Sequence, residues 1–274
     1  MKDFIILLFL LPIPALLSCS GEDKTNILLP ERPELSDNIA ADAQIKELYK
    51  QYGVWFRYEF PPETFTYDWS DHLTDPEYTP ADVNSVSEVL DSVRSWVFDV
   101  FPYQFLAAYL PLNVLLTDSL TTSYSVLDGH LATNYIALGR VGKQFGKQDM
   151  NHLREAWVSL FIEKMVISHW KYPAEFASFN PEAYNELAYE TGIDLTVRYA
   201  LLKSGRNGLY NNRGRLCPTT YAQDFGDYVA FILYRNTTEK KEYYDKNEMV
   251  KKKENSVRDY FYRDFGFRLE AINP

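Results

Sequence analysis

The amino-acid sequence predicts an α+β protein, with a small mixed sheet and helices in its first half and a mostly helical second half. Runs of aromatic and β-branched residues typical of strands occur before residue 140, where they alternate with amphipathic helical patterns. Beyond Asn151, apolar residues recur at the three- and four-residue spacings of helices. No internal repeat is visible, so one large domain or two tightly joined domains are expected.

The elements of the first half follow from periodicity and from helix breakers. Ala40–Tyr52 is predicted as an amphipathic helix that Gly53 ends, and Asp128-Gly129 as a turn. Residues 63–80 show no such periodicity and are expected to be loop-like. The other helices are predicted at 79–98 and Tyr103–Tyr109, and the strands at 54–60, 112–117, 123–127 and 135–138.

The second half is predicted as a series of helices at 151–170, 180–190, 194–203, 222–234 and 239–255. The first of these has the strongest pattern, and Asn180-Pro181 provides a start signal for the second. Lys and Glu interleave between 239 and 255, which indicates a solvated helix. The aromatic ending, residues 260–269, is expected to dock back on the body.

Composition excludes some classes of function. The formal net charge is −10, so the chain has no general attraction to phosphate backbones, and nucleic acid is not an expected partner. Its cysteines are Cys19 and Cys217, and the role of Cys19 described next leaves no pair for an internal disulfide. Cys217, before Pro218, is interpreted as a buried apolar residue.

The N-terminus is typical of an exported protein. Lys2 precedes an apolar stretch over residues 4–17 that is too short to span a bilayer. The sequence Leu16-Leu17-Ser18-Cys19 resembles the lipobox of a bacterial lipoprotein, which implies cleavage before Cys19 and acylation of that cysteine. Two or more acyl chains anchor a protein stably to a membrane.

These features define the expected organisation of the chain. Residues 1–18 are predicted as a lipoprotein signal peptide, 19–39 as a lipidated N-terminus and flexible tether, and 40–274 as the folded domain. Glu22 and Asp23, close behind the cysteine, resemble the surface-export signal of Bacteroidetes lipoproteins. The expected location is therefore the outer membrane, with the domain exposed at the cell surface.

Several segments of the folded domain carry a likeness to a known family. The most telling is a long helix followed by Lys171-Tyr172-Pro173-Ala174-Glu175-Phe176, and a second is Asp224-Phe225-Gly226-Asp227. All the stretches that carry the likeness, which together span most of the mature chain, are residues 45–54, 110–118, 151–176 and 224–229. They resemble the zinc-binding metallopeptidase-like lipoproteins of Bacteroidetes, and the resemblance implies a zincin-like metallopeptidase architecture.

The resemblance also implies a zinc motif, H-E-x-x-H, on the long helix. Two histidines four residues apart bind Zn²⁺ from one helix face, and the glutamate acts as general base on the metal-bound water. The matching window here is Ile162-Glu163-Lys164-Met165-Val166. Glu163 stands at the position of the base, Ile162 and Val166 replace both histidines, and Asp227 stands where a later carboxylate ligand belongs.

The departure from the motif predicts a site without metal or other cofactor. Ile and Val have no lone pair for a metal ion. The histidines of this chain, His72, His130, His152 and His169, lack the four-residue spacing that could restore the site. Simpler interpretations remain for these positions: core packing for Ile162 and Val166, and an arginine partner or an exposed helix surface for Glu163. Asp224 and Asp227 would similarly be an N-cap and a first-turn acid.

The sequence therefore predicts a non-catalytic surface protein that binds an extracellular peptide or glycan, or acts as a scaffold. Its frame is metallopeptidase-like but catalytically inactive. The alternative is an active hydrolase, a peptidase or glycosidase, that uses Glu163 and Asp227 as paired carboxylates. A loop over residues 206–215, with amides, a ring and guanidinium groups, has the composition of a carbohydrate site but is also common in surface loops.

Overall fold

The protein was analysed as a computed structural model. The structure describes Leu35 and residues 39–66, 77–121, 126–169, 173–179, 195–202 and 220–272, without the side chains of His169, Leu195 and Arg198. The chain divides into two compact units, Met1–Leu35 and Ser36–Pro274. The elements below all belong to the second unit, and the predicted signal peptide and Cys19 lie outside the described residues.

A mixed sheet forms the first half of the fold. Its strands are β1 (Trp55–Arg57), β2 (Glu77–Pro80), β3 (Asn113–Thr121), β4 (Gly129–Leu131) and β5 (Ile136–Leu138). The order is β1-β3-β5-β4, with β1 and β5 parallel to β3 and β4 antiparallel to β5. Strand β2 pairs antiparallel with the far end of β3. Among the described strands, β4 lies at one edge of this order and β1 at the other.

The described chain also contains α-helices, namely α1 (Ala40–Tyr52), α2 (Pro62–Thr66), α3 (Val83–Val93), α4 (Tyr103–Tyr109), α5 (Met150–His169), α6 (Ala174–Ser178), α7 (Leu195–Tyr199), α8 (Tyr221–Tyr234), α9 (Thr237–Lys246) and α10 (Met249–Phe265). Of these, α1 contacts β1, and α5 contacts β4 and β5. A π-helical turn, Arg94–Phe98, extends α3, and a 3-10 turn, Phe145–Lys147, precedes α5. This arrangement confirms the predicted α+β class. None of these helices combines the length and apolar character that crossing a bilayer requires.

The most periodic segments form the predicted helices. In α1 the residues at three- and four-residue spacings are buried, and Gly53 ends the helix in the left-handed region with φ 74°. The predicted helix at Tyr103–Tyr109 has the same bounds in the structure, and α5 and α8 begin and end within one residue of prediction. The aromatic C-terminus docks as expected, because Leu269 is buried and Phe267 contacts the ring of Phe105.

The loop prediction for residues 63–80 is wrong in two places. Helix α2 forms at Pro62–Thr66, and β2 forms at Glu77–Pro80 through pairing with β3. Because Pro80 is still paired with β3, the next helix begins later in the sequence than predicted, at Val83. There the Asp82 side chain accepts a hydrogen bond from the Asn84 amide. The strand at Glu77–Pro80 forms through pairing with a distant segment, which local periodicity does not reveal.

Other boundaries differ for similar reasons. Gly129 begins β4 instead of forming a turn, and the connection to β5 is closed by a hydrogen bond from the Ala132 amide to the Tyr135 carbonyl. The strands predicted at 54–60 and 112–117 become three residues and nine residues long, respectively. Of the strand predicted at 123–127, Val126 forms a single bridge to Thr121, whereas residues 122–125 lie outside the described part.

The predicted helices beyond residue 180 are also corrected in part. The charged segment 239–255 is divided between α9 and α10 at Asn247, whose side-chain amide donates to the carbonyls of Thr196 and Val197. Helix α7 is shorter than predicted because Ala200 adopts a left-handed backbone with φ 49°. The helix predicted at 180–190 lies outside the described residues.

Helix α5 is the centre of the packing. One side of it contacts β4 and β5, and α8 packs along another side, with α10 behind α8. Gly226 of α8 makes this approach possible, since a Cβ atom at that position would lie 2.5 Å from the Ser159 carbonyl oxygen of α5. The two helices are therefore in backbone contact at this point.

Replacing Gly226 by alanine is expected to lower the free energy of unfolding by about 1–3 kcal/mol, because a backbone carbonyl cannot move aside for the new methyl group. Urea unfolding followed by circular dichroism measures the change. Helix propensity alone would instead stabilise the protein by up to about 1 kcal/mol. A gain in stability would therefore contradict the backbone contact.

Candidate functional site

A row of polar residues on α5 faces α8. Glu155, Ser159 and Glu163 follow one another at four-residue spacing and are therefore on one side of the helix. All three are buried, with relative exposures of 9%, 0% and 6%. Buried polar groups need hydrogen-bond partners, and α8 with its flanking residues provides them.

The predicted site residue Glu163 lies at the N-terminal end of α8. Its Oε1 atom accepts a hydrogen bond from Thr220 Oγ1 at 3.2 Å. Thr220 is the N-cap of α8, and the same hydroxyl oxygen accepts from the Gln223 amide at 3.1 Å. Glu163 is thus connected directly to the start of the neighbouring helix.

The second predicted site residue, Asp227, lies further along the same helix pair. It is 4% exposed, and its Oδ1 atom accepts a hydrogen bond from Ser159 Oγ at 2.5 Å. The contacts of Glu163 and Asp227 are separated by four residues on α5 and seven on α8, about 6 Å and about 10 Å along the helix axes. The structure therefore places both acids on one helix seam but gives them different partners.

The positions that match the motif histidines face a different environment. Ile162 and Val166 are 1% and 5% exposed, respectively. They line a small cavity with aromatic and other apolar side chains from α4, α5, α8 and α10, namely Phe105, Tyr109, Met165, Phe225, Tyr260, Phe261 and Phe265. Their surroundings are those of a packed apolar core, and the cavity wall contains no imidazole.

Asp224 has a partner that the sequence did not reveal. The prediction that it is the N-cap is wrong, because Thr220 has that role. Asp224 instead forms an ion pair with Lys253 of α10, and both side chains are almost completely buried. The ammonium group also lies 4.7 Å from the ring centres of both Phe176 and Tyr228. Burial lowers the pKa of Lys253, and the charge of Asp224 opposes that shift.

The edge strand β4 is held against α5 by another buried lysine. Lys164, directly after Glu163, donates from Nζ to the Ala132 carbonyl at 2.7 Å and to the Thr133 carbonyl. Both carbonyls belong to the turn that joins β4 to β5. Within β4, burial lowers the pKa of His130 to about 4, so its imidazole is neutral at physiological pH. Strand β4 is therefore fixed at its C-terminal end, and its His130 side chain carries no positive charge.

The start of β4 is fixed by a separate polar cluster. The Asp128 carboxylate accepts from Arg140 Nε at 3.0 Å and contacts His152 Nε2 at 2.9 Å. The Asp128 carbonyl accepts a hydrogen bond from the Trp157 indole at 2.8 Å. Asp128 is thus the junction between the strand, the glycine-containing loop around Arg140 and the first turns of α5, which explains why the predicted turn is not formed there.

The donor set around Glu163 does not fit zinc. A catalytic zinc ion takes nitrogen, sulfur or carboxylate ligands from three side chains. The window on α5 offers Glu163 alone, and among the described residues no group of three or more His, Cys, Asp and Glu side chains is arranged to hold a metal ion. No metal-dependent step can be assigned to this arrangement.

Some sequence-based candidates lie outside the described residues. These are Cys19, His72, Cys217, the loop at 206–215 and the side chain of His169. Conversely, Ser159, Thr220 and Lys253 were missed from the sequence. The four-residue spacing of Glu155, Ser159 and Glu163 in an otherwise apolar helix was a readable signal for Ser159. No local pattern connects Lys253 to Asp224, because the two residues meet only through the packing of α10 on α8.

One solved structure resembles this fold. It is the crystal structure of a "putative zinc-binding metallo-peptidase" from Bacteroides caccae, with a TM-score of 0.54 and 13% sequence identity. The similarity covers 84% of this chain and 88% of that one. No protein-family profile and no curated protein sequence matches the chain. At this identity the likeness concerns the fold alone, so the conclusion is that this chain has the fold of that metallo-peptidase structure.

Proposed function

We propose that this protein is a non-catalytic recognition protein that binds an extended peptide on a metallopeptidase-like frame. The observation that carries the proposal is the burial of Ile162 and Val166 in an apolar cavity where the motif requires two metal-binding histidines. Without those imidazoles, the metal-bound water that a zinc peptidase uses as its nucleophile has no site. A concave surface formed for a substrate can persist after such a loss.

The proposed peptide-binding surface is the outer edge of strand β4. Backbone hydrogen bonds join Asp128 to Gly139 and Ala132 to Tyr135. Because hydrogen-bonded pairs alternate along an antiparallel ladder, His130 and Ala137 form such a pair as well. The amides and carbonyls of Gly129 and Leu131 then point away from β5. An extended peptide can pair with such an edge by strand addition. The hydrogen bond from Lys164 to the Ala132 carbonyl keeps the edge in place before binding.

The alternative function, hydrolysis by Glu163 and Asp227, has weaker support. Paired carboxylates act across a cleft in which both can reach the scissile bond. Here each acid accepts a hydrogen bond within the α5–α8 interface, from Thr220 and from Ser159, and both are almost fully buried. These contacts favour a structural role for the two acids.

Zinc content tests the loss of catalysis. The purified wild-type domain is expected to retain substoichiometric zinc after dialysis, as measured by inductively coupled plasma mass spectrometry, and to leave casein intact. The variant Ile162→His/Val166→His restores the ligand spacing and is expected to retain more zinc. The control Ile162→Ala/Val166→Ala enlarges the cavity without adding ligands. Stoichiometric zinc in the wild type, or casein cleavage that a chelator stops, would disprove the proposal.

Peptide binding at β4 is tested by removing one outward amide. Peptides selected by phage display on the folded domain are expected to bind Leu131→Pro about tenfold more weakly, which corresponds to about 1.4 kcal/mol. Proline is tolerated on an edge strand when the missing amide faces outward. Leu131→Ala is the matched control, because it removes the side chain but keeps the amide. Fluorescence anisotropy measures both variants, and equal affinities for them would place the ligand elsewhere.

We also propose that the domain is anchored to the outer membrane through an acylated Cys19 and faces the cell exterior. The support is the lipobox-like Leu16-Leu17-Ser18-Cys19 and the acidic residues behind it. In a Bacteroidetes host, Cys19→Ala is expected to abolish incorporation of labelled palmitate and to move the protein out of the membrane fraction. Unchanged labelling of the variant would refute the anchor. If protease added to intact wild-type cells left the protein undigested, surface exposure would be refuted.

A further inference from the structure

Several aromatic rings lie together where α1 ends and where β1 and α4 begin. We call Tyr49, Tyr52, Trp55 and Tyr103 the aromatic platform. The rings of Tyr49 and Trp55 meet edge to face with centres 5.2 Å apart, and those of Tyr52 and Tyr103 have centres 5.6 Å apart. Tyr49 and Tyr52 are three residues apart on one helix face, so the two ring pairs adjoin.

The aromatic platform is at the surface. Tyr103 is 52% exposed and the other rings are partly exposed. Leu112, whose carbonyl accepts the Trp55 amide at 2.8 Å, extends the surface and is 71% exposed. Other rings of the described chain differ in exposure: Phe225 and Phe261 are buried in the core, whereas Tyr262 on α10 is exposed. This contiguous group of partly exposed rings, extended by Leu112, leaves apolar surface in water, and contiguous apolar patches often mark binding sites.

Polar groups surround the rings. The Gln51 amide donates from Nε2 to the Tyr52 hydroxyl at 3.1 Å. Burial of the ring and the carboxylate of Asp99 raise the pKa of Tyr52, so the phenol keeps its proton at neutral pH. Glu47 and Arg94, which form an ion pair at 3.3 Å, also lie near this ring. The surface thus combines flat apolar faces with hydrogen-bonding donors and acceptors.

We propose that the aromatic platform is a binding site for a neutral oligosaccharide. A pyranose ring has an apolar face that can cover an aromatic ring, and hydroxyls at its edge that match amides, phenols and carboxylates. Asp99, Glu47 and the net charge of −10 disfavour an anionic ligand. A lipid or a purely apolar partner would remove these flanking charged groups from water, which costs free energy even for the paired Glu47 and Arg94.

This site is separate from the proposed peptide surface. Trp55 belongs to β1 and the peptide surface to β4, which are the opposite ends of the strand order β1-β3-β5-β4. Three strand spacings separate them by about 14 Å. Loss of one activity therefore does not imply loss of the other.

Affinity electrophoresis in gels containing β-glucan, xylan, galactomannan or heparin tests the proposal. At least one of the neutral polysaccharides is expected to retard the wild-type domain, and Tyr103→Ser to weaken that binding at least tenfold. Tyr262→Ser is the matched control, because Tyr262 is a 57% exposed tyrosine on α10, and it should bind like the wild type. Leu131→Pro should also leave the retardation unchanged. Melting temperatures show whether each variant is folded.

Four results would overturn the proposal. They are no retardation by any neutral polysaccharide, retardation by heparin alone, equal effects of Tyr103→Ser and Tyr262→Ser, and a wild-type dimer in sedimentation that Tyr103→Ser converts to a monomer. The last result would assign the aromatic platform to contact between two copies of the chain.

Discussion

The arrangement of this protein depends on the backbone contact between α5 and α8. Gly226 lacks a side chain, and the Ser159 carbonyl occupies the space that a Cβ atom would need. This close approach brings polar side chains of both helices within hydrogen-bond distance. Asp227 then meets Ser159, Glu163 meets the N-cap Thr220, and Glu155 meets Arg235 at 2.7 Å. The burial of these acids is tolerated because each has a partner across the seam.

The same helix pair also contributes to an apolar core beside the polar seam. Ile162 and Val166 are adjacent to the polar seam but face a group of aromatic side chains. Burying an aliphatic side chain stabilises a protein by about 1.5–3 kcal/mol, so both residues contribute to the stability of the core. Behind α8, Lys253 neutralises Asp224 with its own charge. In this chain the interior around Ile162 and Glu163 is held by packing and by internal ion pairs.

Hydrophobic periodicity predicted the helices well and the pairing of strands poorly. Helices α1, α4, α5 and α8 were predicted within a residue or two because apolar residues recur along each at helical spacing. Strand β2 was missed, since its formation depends on β3, about forty residues away. Gly129 was assigned to a turn, although Asp128 is bound by Arg140 and His152. Asn247 interrupts a charged helix because its amide binds two carbonyls of α7.

The sequence by itself determined that Ile162 and Val166 cannot ligate a metal ion, because the presence of a lone pair depends on residue type alone and these side chains have none to donate. It also determined the α+β class, through the change from strand-like to helical periodicity. Only the tertiary structure decided what the remaining polar groups do. Glu163, Asp227 and Asp224 are partnered by residues 57, 68 and 29 positions away, respectively. Such contacts are formed by packing of helices that are distant in sequence, and no local pattern records them.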